Sequence, residues 1–365
     1  MTDPLSIRRL VSLETVKDIQ PIPDADAIER IRVRGWDVVV RKDEMKVGET
    51  VVYFEIDSAL PLDDPRFAFL EPRGRKVLED GTAVHVLKTA RLRGQYSQGL
   101  VIPLDPQTQE QIVEYLGTQG YSFNPDTAEE DIERMLGVDV SEALGVTKYE
   151  APIPAELSGQ IVGQFPTDQV QKTDSERVQN LTAVFNELRN VGTWTATEKI
   201  DGSSVTYIVT GDEDAPLRVC SRNWELKPSE NLTSMKLAEK YNLADLPAGT
   251  IIQAEVYGEG IQSNRLKIKG TALAVFSVFS APHQLLPRSE WPEQLKAIAA
   301  PVLDLELPAT VDEAIAQAEG MKSQVAPGRQ AEGIVWHESS GKTFPELEYR
   351  ANMKALNNKY LLKNG

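Results

Sequence analysis

Along the first hundred residues, apolar side chains come in short alternating or continuous runs. They are RIRVRGWDVVV (30–40), ETVVYFEI (49–56), TAVHVLKTARL (82–92) and QGLVIPL (98–104). Side chains alternate between the two faces of a strand, so such runs, broken by Gly, Pro and Asp, predict strands. Many short strands at this spacing predict a small barrel or sandwich, and an OB-like barrel fits the length. From 105 to 160 the pattern turns helical in EQIVEYLG and AEEDIERMLG, then gives way to the proline-bearing EAPIPAELSG. A linker with one or two helices is expected there. In 172–190, KTDSERVQNLTAVFNELRN, Thr173 and Glu176 stand in a capping-box relation. Val178, Leu181, Val184, Phe185 and Leu188 come next at helical spacing, which predicts a helix. Strands are predicted around 193–199, 203–210, 217–221, 250–257, 271–280 and 333–338. A further helix is predicted in TVDEAIAQAEG (310–320), opened by a box of Thr310 and Glu313. The class is α+β, with an OB-like domain over 1–120, an acidic linker over 121–158 and an α+β domain over 159–365.

Composition narrows this picture. With 365 residues, 41% hydrophobic and 26% charged, the chain reads as a soluble globular protein of two or three domains. It has no apolar run of 18 residues, so no membrane span is expected. MTDPLSIRRL lacks a signal-peptide pattern. Cys220 is the only cysteine, which excludes an intramolecular disulfide and a cysteine-based zinc site. The histidines, His85, His283 and His337, lie far apart in sequence, so a His-rich metal site or a Ser-His-Asp triad is not expected. A cytoplasmic protein is expected.

Charge then modifies the choice of partner. The net charge of −16 argues against nucleic acid, but −10 of it falls within 101–160. The flanking regions are near balance and leave room for basic patches. Lys88, Arg91 and Arg93 cluster around one strand end, after Arg73, Arg75 and Lys76. Arg91 and Arg93 share a face if the strand runs that far. They are candidate nucleic-acid contacts, with a solvated basic face as the alternative.

Candidate chemistry centres on TATEKIDGSSVTYIV, 195–209. On a continuous strand Lys199 and Asp201 would point to one face, either as a surface pair or as a nucleophile and its helper. A lone Lys-x-Asp-Gly is unspecific. The order of the segments downstream of it is specific: Ser221–Asn223 in SRN, Glu255 in QAEVYGEGIQ, Phe276 and Phe279 in AVFSVF, Glu332 and Gly333 in AEGIVW, and Lys354 in NMKALNNKYLLK. In this order the segments resemble the nucleotidyltransferase motifs I, Ia, III, IIIa, IV and V of covalent polynucleotide ligases and mRNA capping enzymes. The resemblance is strongest to ATP-dependent RNA ligases with an N-terminal OB domain. It extends to KTARLRGQYSQGLVIPL in the first domain and to FPTDQVQKTDSERVQNL before the lysine. Eleven residues come after Lys354, too few for the OB domain that DNA ligases and capping enzymes usually carry after motif V, and this favours the RNA ligase reading.

The resemblance implies an α+β nucleotidyltransferase domain over 159–365, ATP and Mg²⁺ or Mn²⁺ as cofactors, and Lys199 as the residue that takes AMP. RNA, or an RNA-containing duplex with a 5′-phosphate, is the implied partner, and a monomer is expected. Lysine ordinarily titrates near ~10.4 and must lose its proton to attack phosphorus, so a nearby cation or metal is expected to lower its pKa. Lys354 is the candidate cation. Asp201 and Glu332 could hold a hydrated metal, and Glu255 could accept from ribose hydroxyls. Phe276 could stack on adenine, and Arg222 could grip phosphate. Glu198 and Gly202 flank the motif as further ATP contacts.

Each residue also has a plainer role open to it. Glu255 and Glu332 could pair with Lys or Arg across a sheet, Phe276 could be core and Arg222 a turn residue. Lys354 could belong to a solvated tail. Trp336 and His337 read as packing or surface, and Gln262 and Asn264 are undecided. The rival functions are a DNA ligase, a GTP-using capping enzyme, and a non-catalytic nucleic-acid-binding protein with a relic pocket.

Overall fold

Strands form where β-branched and aromatic residues cluster, and their burial shows which faces carry the core. The computed structural model describes residues 8–78, 80–122, 128–150, 159–347 and 350–362, and every count refers to these. The chain divides into two units: Met1–Ala151 with Gln179–Thr182 and Leu361–Gly365, and Pro152–Val178 with Ala183–Tyr360.

In the first unit, β1 (Val11–Pro21), β2 (Ile28–Val33), β3 (Trp36–Arg41), β4 (Thr50–Phe54) and β10 (Leu100–Pro103) form an antiparallel sheet in the order β10-β4-β1-β2-β3. The segment leading into β10 returns to β3: Gln98 N donates to the Asp37 carbonyl at 2.8 Å and Val39 N to Ser97 Oγ at 3.0 Å. The expected run 30–40 is thus a hairpin, with Arg34 at φ 52° in its turn. Both faces of β4 are buried. Val51 and Tyr53 join Val33, Trp36 and Val38, while Val52 and Phe54 join Val11, Leu13, Ile112 and Leu116. Two-sided burial explains why TVVYF is continuous rather than alternating.

β5 (Ser58–Pro61), β6 (Lys76–Val77), β7 (Ala83–Val86) and β11 (Thr147–Lys148) make a second sheet, and β8 (Ala90–Leu92) pairs with β9 (Gln95–Ser97). The expected linker proves different. Helix Pro106–Thr118 and the buried Met135, Val140, Ala143, Leu144 and Val146 pack into this unit's core. Apolar residues spaced along an acidic stretch gave it a face to bury, which overrides the charge average. Residues 151–158, with the expected extended prolines, lie outside the described residues.

The second unit is built on two sheets. One runs β12-β17-β16-β15-β18-β19-β20, with β12 (Ile161–Gln164), β15 (Ser203–Val209), β16 (Leu217–Cys220), β17 (Trp224–Leu226), β18 (Ile251–Gly258), β19 (Thr271–Ala281) and β20 (Gln284–Leu285). The other runs β13-β23-β22-β14-β21, with β13 (Glu176–Arg177), β14 (Trp194–Lys199), β21 (Val302–Leu303), β22 (Gly333–Glu338) and β23 (Asn352–Leu356). Its core collects Val205, Tyr207, Val219, Leu237, Ile252, Val275 and Leu295.

The helix predicted over 172–190 does not form as one piece. Glu176 and Arg177 pair in parallel with Met353 and Lys354, and only Phe185–Arg189 is α-helical. Residues 179–182 pack in the first unit, where Asn180 accepts from Trp36 Nε1 at 2.8 Å and donates to Glu55 Oε2 at 3.0 Å. Non-local pairing overrode a local helical period. The Thr310 helix forms as predicted over Val311–Ala318, with both capping-box bonds in place. Among the described residues no helix is long and apolar enough to cross a membrane.

Candidate active site

The chain changes sheets at the lysine motif. β14 ends at Lys199, β15 begins at Ser203 in the other sheet, and Ile200–Gly202 cross between them. Asp201 therefore lies beyond the strand, and the face-sharing argument from strand alternation does not apply. Gly202 is needed for the crossing: a Cβ there would sit 2.9 Å from Glu255 Cγ and press on the Val256 backbone. Gly333, opposite Lys199 in the β14–β22 ladder, lies as close to β23, where a Cβ would come 3.0 Å from Leu356 Cα. Two glycines thus let the three strands that carry charged groups approach each other.

Lys199 Nζ donates to Glu332 Oε2 at 2.8 Å. The expectation of a lowered lysine pKa is corrected here. Burial pulls the ammonium down, but Glu332, Glu255 and Asp201 outweigh it and the pKa is raised. In this state Lys199 is held protonated. Lys354, on β23 opposite Val335, shows the reverse: burial, with Arg177 and Lys199 nearby, lowers it to about 8. Glu255 is pushed up to about 8 by burial. Lys199 and Arg222 oppose that rise, and Glu332 and Asp201 add to it. Asp201 Oδ2 accepts from the Tyr360 hydroxyl at 2.6 Å and lies 3.8 Å from Arg265 Nε.

The sequence-derived residues mostly meet. Lys199, Asp201, Glu255, Glu332 and Lys354 act on one another electrostatically, and Arg222 acts on Glu255. Arg222 is ion-paired with Asp174, in a loop where Lys172 also reaches Asn223 at 3.1 Å. Phe276 is half-buried, packed against a cluster that includes Ile200, Tyr257 and Val325. The Glu198 carboxylate is buried and accepts from Gln324 N at 2.7 Å; burial raises its pKa. Asn264 is a turn residue bonded to the Ile268 backbone, and Gln262 reaches Ser203 Oγ at 3.4 Å. His337 is buried against Thr197, and burial lowers its pKa to about 3, so it serves packing.

Lys88, Arg91 and Arg93 belong to the first unit, not to this site. The strand ends at Leu92 and Arg93 turns at φ 48°, so Arg91 and Arg93 do not share a strand face; Arg91 lies over the Tyr96 ring at 5.7 Å. Asp174, Arg177, Arg265, Asn357 and Tyr360 escaped sequence reasoning. They are scattered along the chain without period, and only the tertiary fold gathers them.

Among the described residues no three His, Cys, Asp or Glu side chains form a ready-made metal cage. The donor set nevertheless fits a divalent cation that keeps its waters. The oxygen donors Asp201, Glu255 and Glu332 crowd one place, and their mutual repulsion is part of what raises Glu255.

Comparison with known proteins bears on the same residues. An OB-fold domain family model matches residues 10–104, and an RNA ligase family model matches 192–355. No curated protein sequence matches. Among solved structures, Naegleria gruberi RNA ligase with PPi is 34% identical over 98% of this chain and 99% of that one, with a TM-score of 0.76. A mutant of the same ligase with AMP and Mn is 34% identical over 97% and 98%, with a TM-score of 0.75. Another mutant, with ATP and Mn, is 33% identical over 97% and 98%, also at 0.75. An OB-fold unit, a two-sheet unit with the lysine at its crossover, and this identity along nearly the whole length agree: the chain belongs to the RNA ligase family.

Proposed function

We propose that this chain is an ATP-dependent RNA ligase in which Lys199 carries AMP. The observation that supports it best is the 2.8 Å Lys199–Glu332 contact at a sheet crossover, with Glu255, Asp201 and Lys354 gathered around it. Lys199 Nζ, once deprotonated, attacks the ATP α-phosphorus. The N–P bond forms, the bond to the bridging oxygen breaks, and pyrophosphate leaves. AMP then passes to an RNA 5′-phosphate, and a 3′-hydroxyl attacks that end, forming the phosphodiester and releasing AMP. Glu332 orients the Lys199 amine. Lys354, on the neighbouring strand, places a positive charge near the reacting phosphate. Asp201 and Glu332 would hold Mg²⁺ or Mn²⁺, which when bound supplies positive charge that stabilises the α-phosphate and eases loss of the Lys199 proton. Glu255 meets the ribose hydroxyls, Phe276 the adenine and Arg222 a phosphate. Glu198, on β14, and Gly202, in the crossover, frame the nucleotide. Lys88, Arg91 and Arg93 of the OB-fold unit meet the nucleic-acid backbone.

The preferred substrate in this reading is a duplex nick with a 5′-phosphate and RNA on the 3′-hydroxyl side. A site that bonds a 2′-hydroxyl rejects its absence, because its own polar groups are left unpaired. The enzyme acts as a cytoplasmic monomer, which sedimentation and cell fractionation check. The central test incubates protein with α-labelled ATP, then offers nicks with RNA or DNA at the 3′ end. Lys199→Ala is expected to take no label yet still to seal a pre-adenylylated nick. Label on the Lys199→Ala protein, or equal sealing of both sugars, would contradict the corresponding part of the reading.

A further inference from the structure

Asp201 lies in the crossover, where no strand ladder fixes its side chain. Its Oδ2 is held from across the unit by Tyr360, whose hydroxyl donates at 2.6 Å. Tyr360 is buried, and its ring lies under the Arg265 guanidinium at 5.0 Å. Arg265 Nε is 3.8 Å from the same Asp201 oxygen, longer than a hydrogen bond. The phenol therefore stands as the closest donor to Oδ2, with a cation waiting behind it.

Tyr360 is itself placed by Asn357, which is fully buried. Asn357 N donates to the Glu332 carbonyl at 2.8 Å, and its Nδ2 donates to the Ala331 carbonyl at 3.0 Å and to Gln330 Oε1 at 2.9 Å. Its Oδ1 accepts from Lys359 N at 3.1 Å, and its carbonyl accepts from Tyr360 N at 2.9 Å. The short segment after Lys354 thus grips the backbone of one site carboxylate and the side chain of another.

We infer that Tyr360 is a positioning residue that orients the Asp201 carboxylate against the site, with Asn357 tying that orientation to Glu332. The inference rests on the ligase reading, in which Asp201 faces the divalent cation. A carboxylate bonded through Oδ2 to a neutral donor is not drawn into an ion pair by that bond. If the donor is lost, Oδ2 is free to turn toward Arg265, which would neutralise the same carboxylate.

Tyr360→Phe keeps the ring and the cation–π contact and removes only the hydroxyl. Losing a hydrogen bond to a charged group corresponds to about ten-fold or more in an equilibrium constant. Mn²⁺ affinity of the protein with free AMP added, read by electron paramagnetic resonance, is therefore expected to weaken about ten-fold. The Mn²⁺ concentration for half-maximal Lys199 labelling should rise in parallel, while that of ATP changes less than about two-fold. An unfolding double-mutant cycle with Asp201→Ala tests the bond independently of any reaction, and the two substitutions should cost less together than the sum of their separate effects. An additive cycle, or Mn²⁺ affinity unchanged in folded Tyr360→Phe, overturns the inference. Absence of any Lys199 adduct in the parent protein would instead sink the ligase reading, because neither Mn²⁺ binding nor the unfolding cycle depends on the adduct.

Discussion

At the residue scale, the site works by setting charges against burial. Glu255 is raised from 4.5 to about 8, so between those values the folded state binds more protons than the unfolded state, and stability falls as pH rises through that window. Lys354 is lowered from 10.5 to about 8, so between those values the folded state binds fewer protons and stability rises with pH. Two substitutions should therefore show opposite trends in metal-free denaturant titrations. Glu255→Gln gains on the parent with rising pH, and the gain levels off above about pH 8. Lys354→Met gains most below about pH 8 and loses that advantage toward pH 10. A common trend in both variants would show that burial does not control these groups. In the proposed reading the same charges serve the reaction, so Glu332→Ala and Lys354→Ala should each slow Lys199 labelling by about 10²–10³ while remaining folded. Near-normal labelling by either would remove it from the site.

At the scale of elements, the crossover from β14 to β15 depends on a missing side chain. Gly202→Ala pushes a methyl group toward Glu255 Cγ and the Val256 backbone, both part of β18. Overpacking of this kind costs about 1–3 kcal/mol, and here it also displaces Glu255, so stability and labelling should fall together. The capping box of helix Val311–Ala318 provides the contrast. Thr310 Oγ1 accepts from Glu313 N at 3.2 Å, at the exposed start of the helix. Thr310→Ala should cost about 1 kcal/mol in denaturant titration and leave labelling unchanged. If Gly202→Ala labels as fast as Thr310→Ala, the tight approach of β15 to β18 is not what aligns the site.

At the scale of the whole molecule, a chain of net charge −16 must still hold a polyanion. The acidity is concentrated in 101–160, and Lys88, Arg91 and Arg93 lie outside it in the OB-fold unit. Arg91 is exposed on the β8–β9 hairpin, stacked on Tyr96 and bonded to the Gly94 carbonyl at 3.0 Å, so its guanidinium is pre-ordered. If these cations meet phosphates, Arg91→Ala with Arg93→Ala should slow sealing, flatten its salt dependence and spare Lys199 labelling. A salt series of sealing and labelling on parent and double variant decides this, and an unchanged slope would clear the hairpin of substrate contact.

Local pattern was enough for most of the strands it predicted, the Thr310 helix and the candidate lysine. Each of these rests on residues close together in sequence: alternation in WTATEK, a capping box at fixed offset, a glycine after a turn. Local pattern missed β1 (Val11–Pro21), which pairs with both β2 and β4. The ordered motifs also singled out Glu255, Glu332 and Lys354, which the fold brings within electrostatic range of Lys199 or of one another, because a shared resemblance carries long-range information that periodicity does not. The 172–190 helix failed because its apolar residues had two uses: Glu176 and Arg177 paired with β23, and 179–182 packed in the first unit. Charge average misread 128–148, where a few spaced apolar residues sufficed to fill a core. The protonated state of Lys199 could not be read from its sequence neighbours either, since it is set by Glu255 and Glu332, brought within range by sheet pairing. The tie from Tyr360 to Asp201 carries no local signal, because the partners are 159 positions apart, and although Asn357 bonds locally to Lys359 N, its bonds to Glu332 and Ala331 span about 25 positions. Sequence determines what side-chain pattern and short-range geometry can encode; the protonation and orientation of the site arise from burial and from contacts that exist only once the strands are paired.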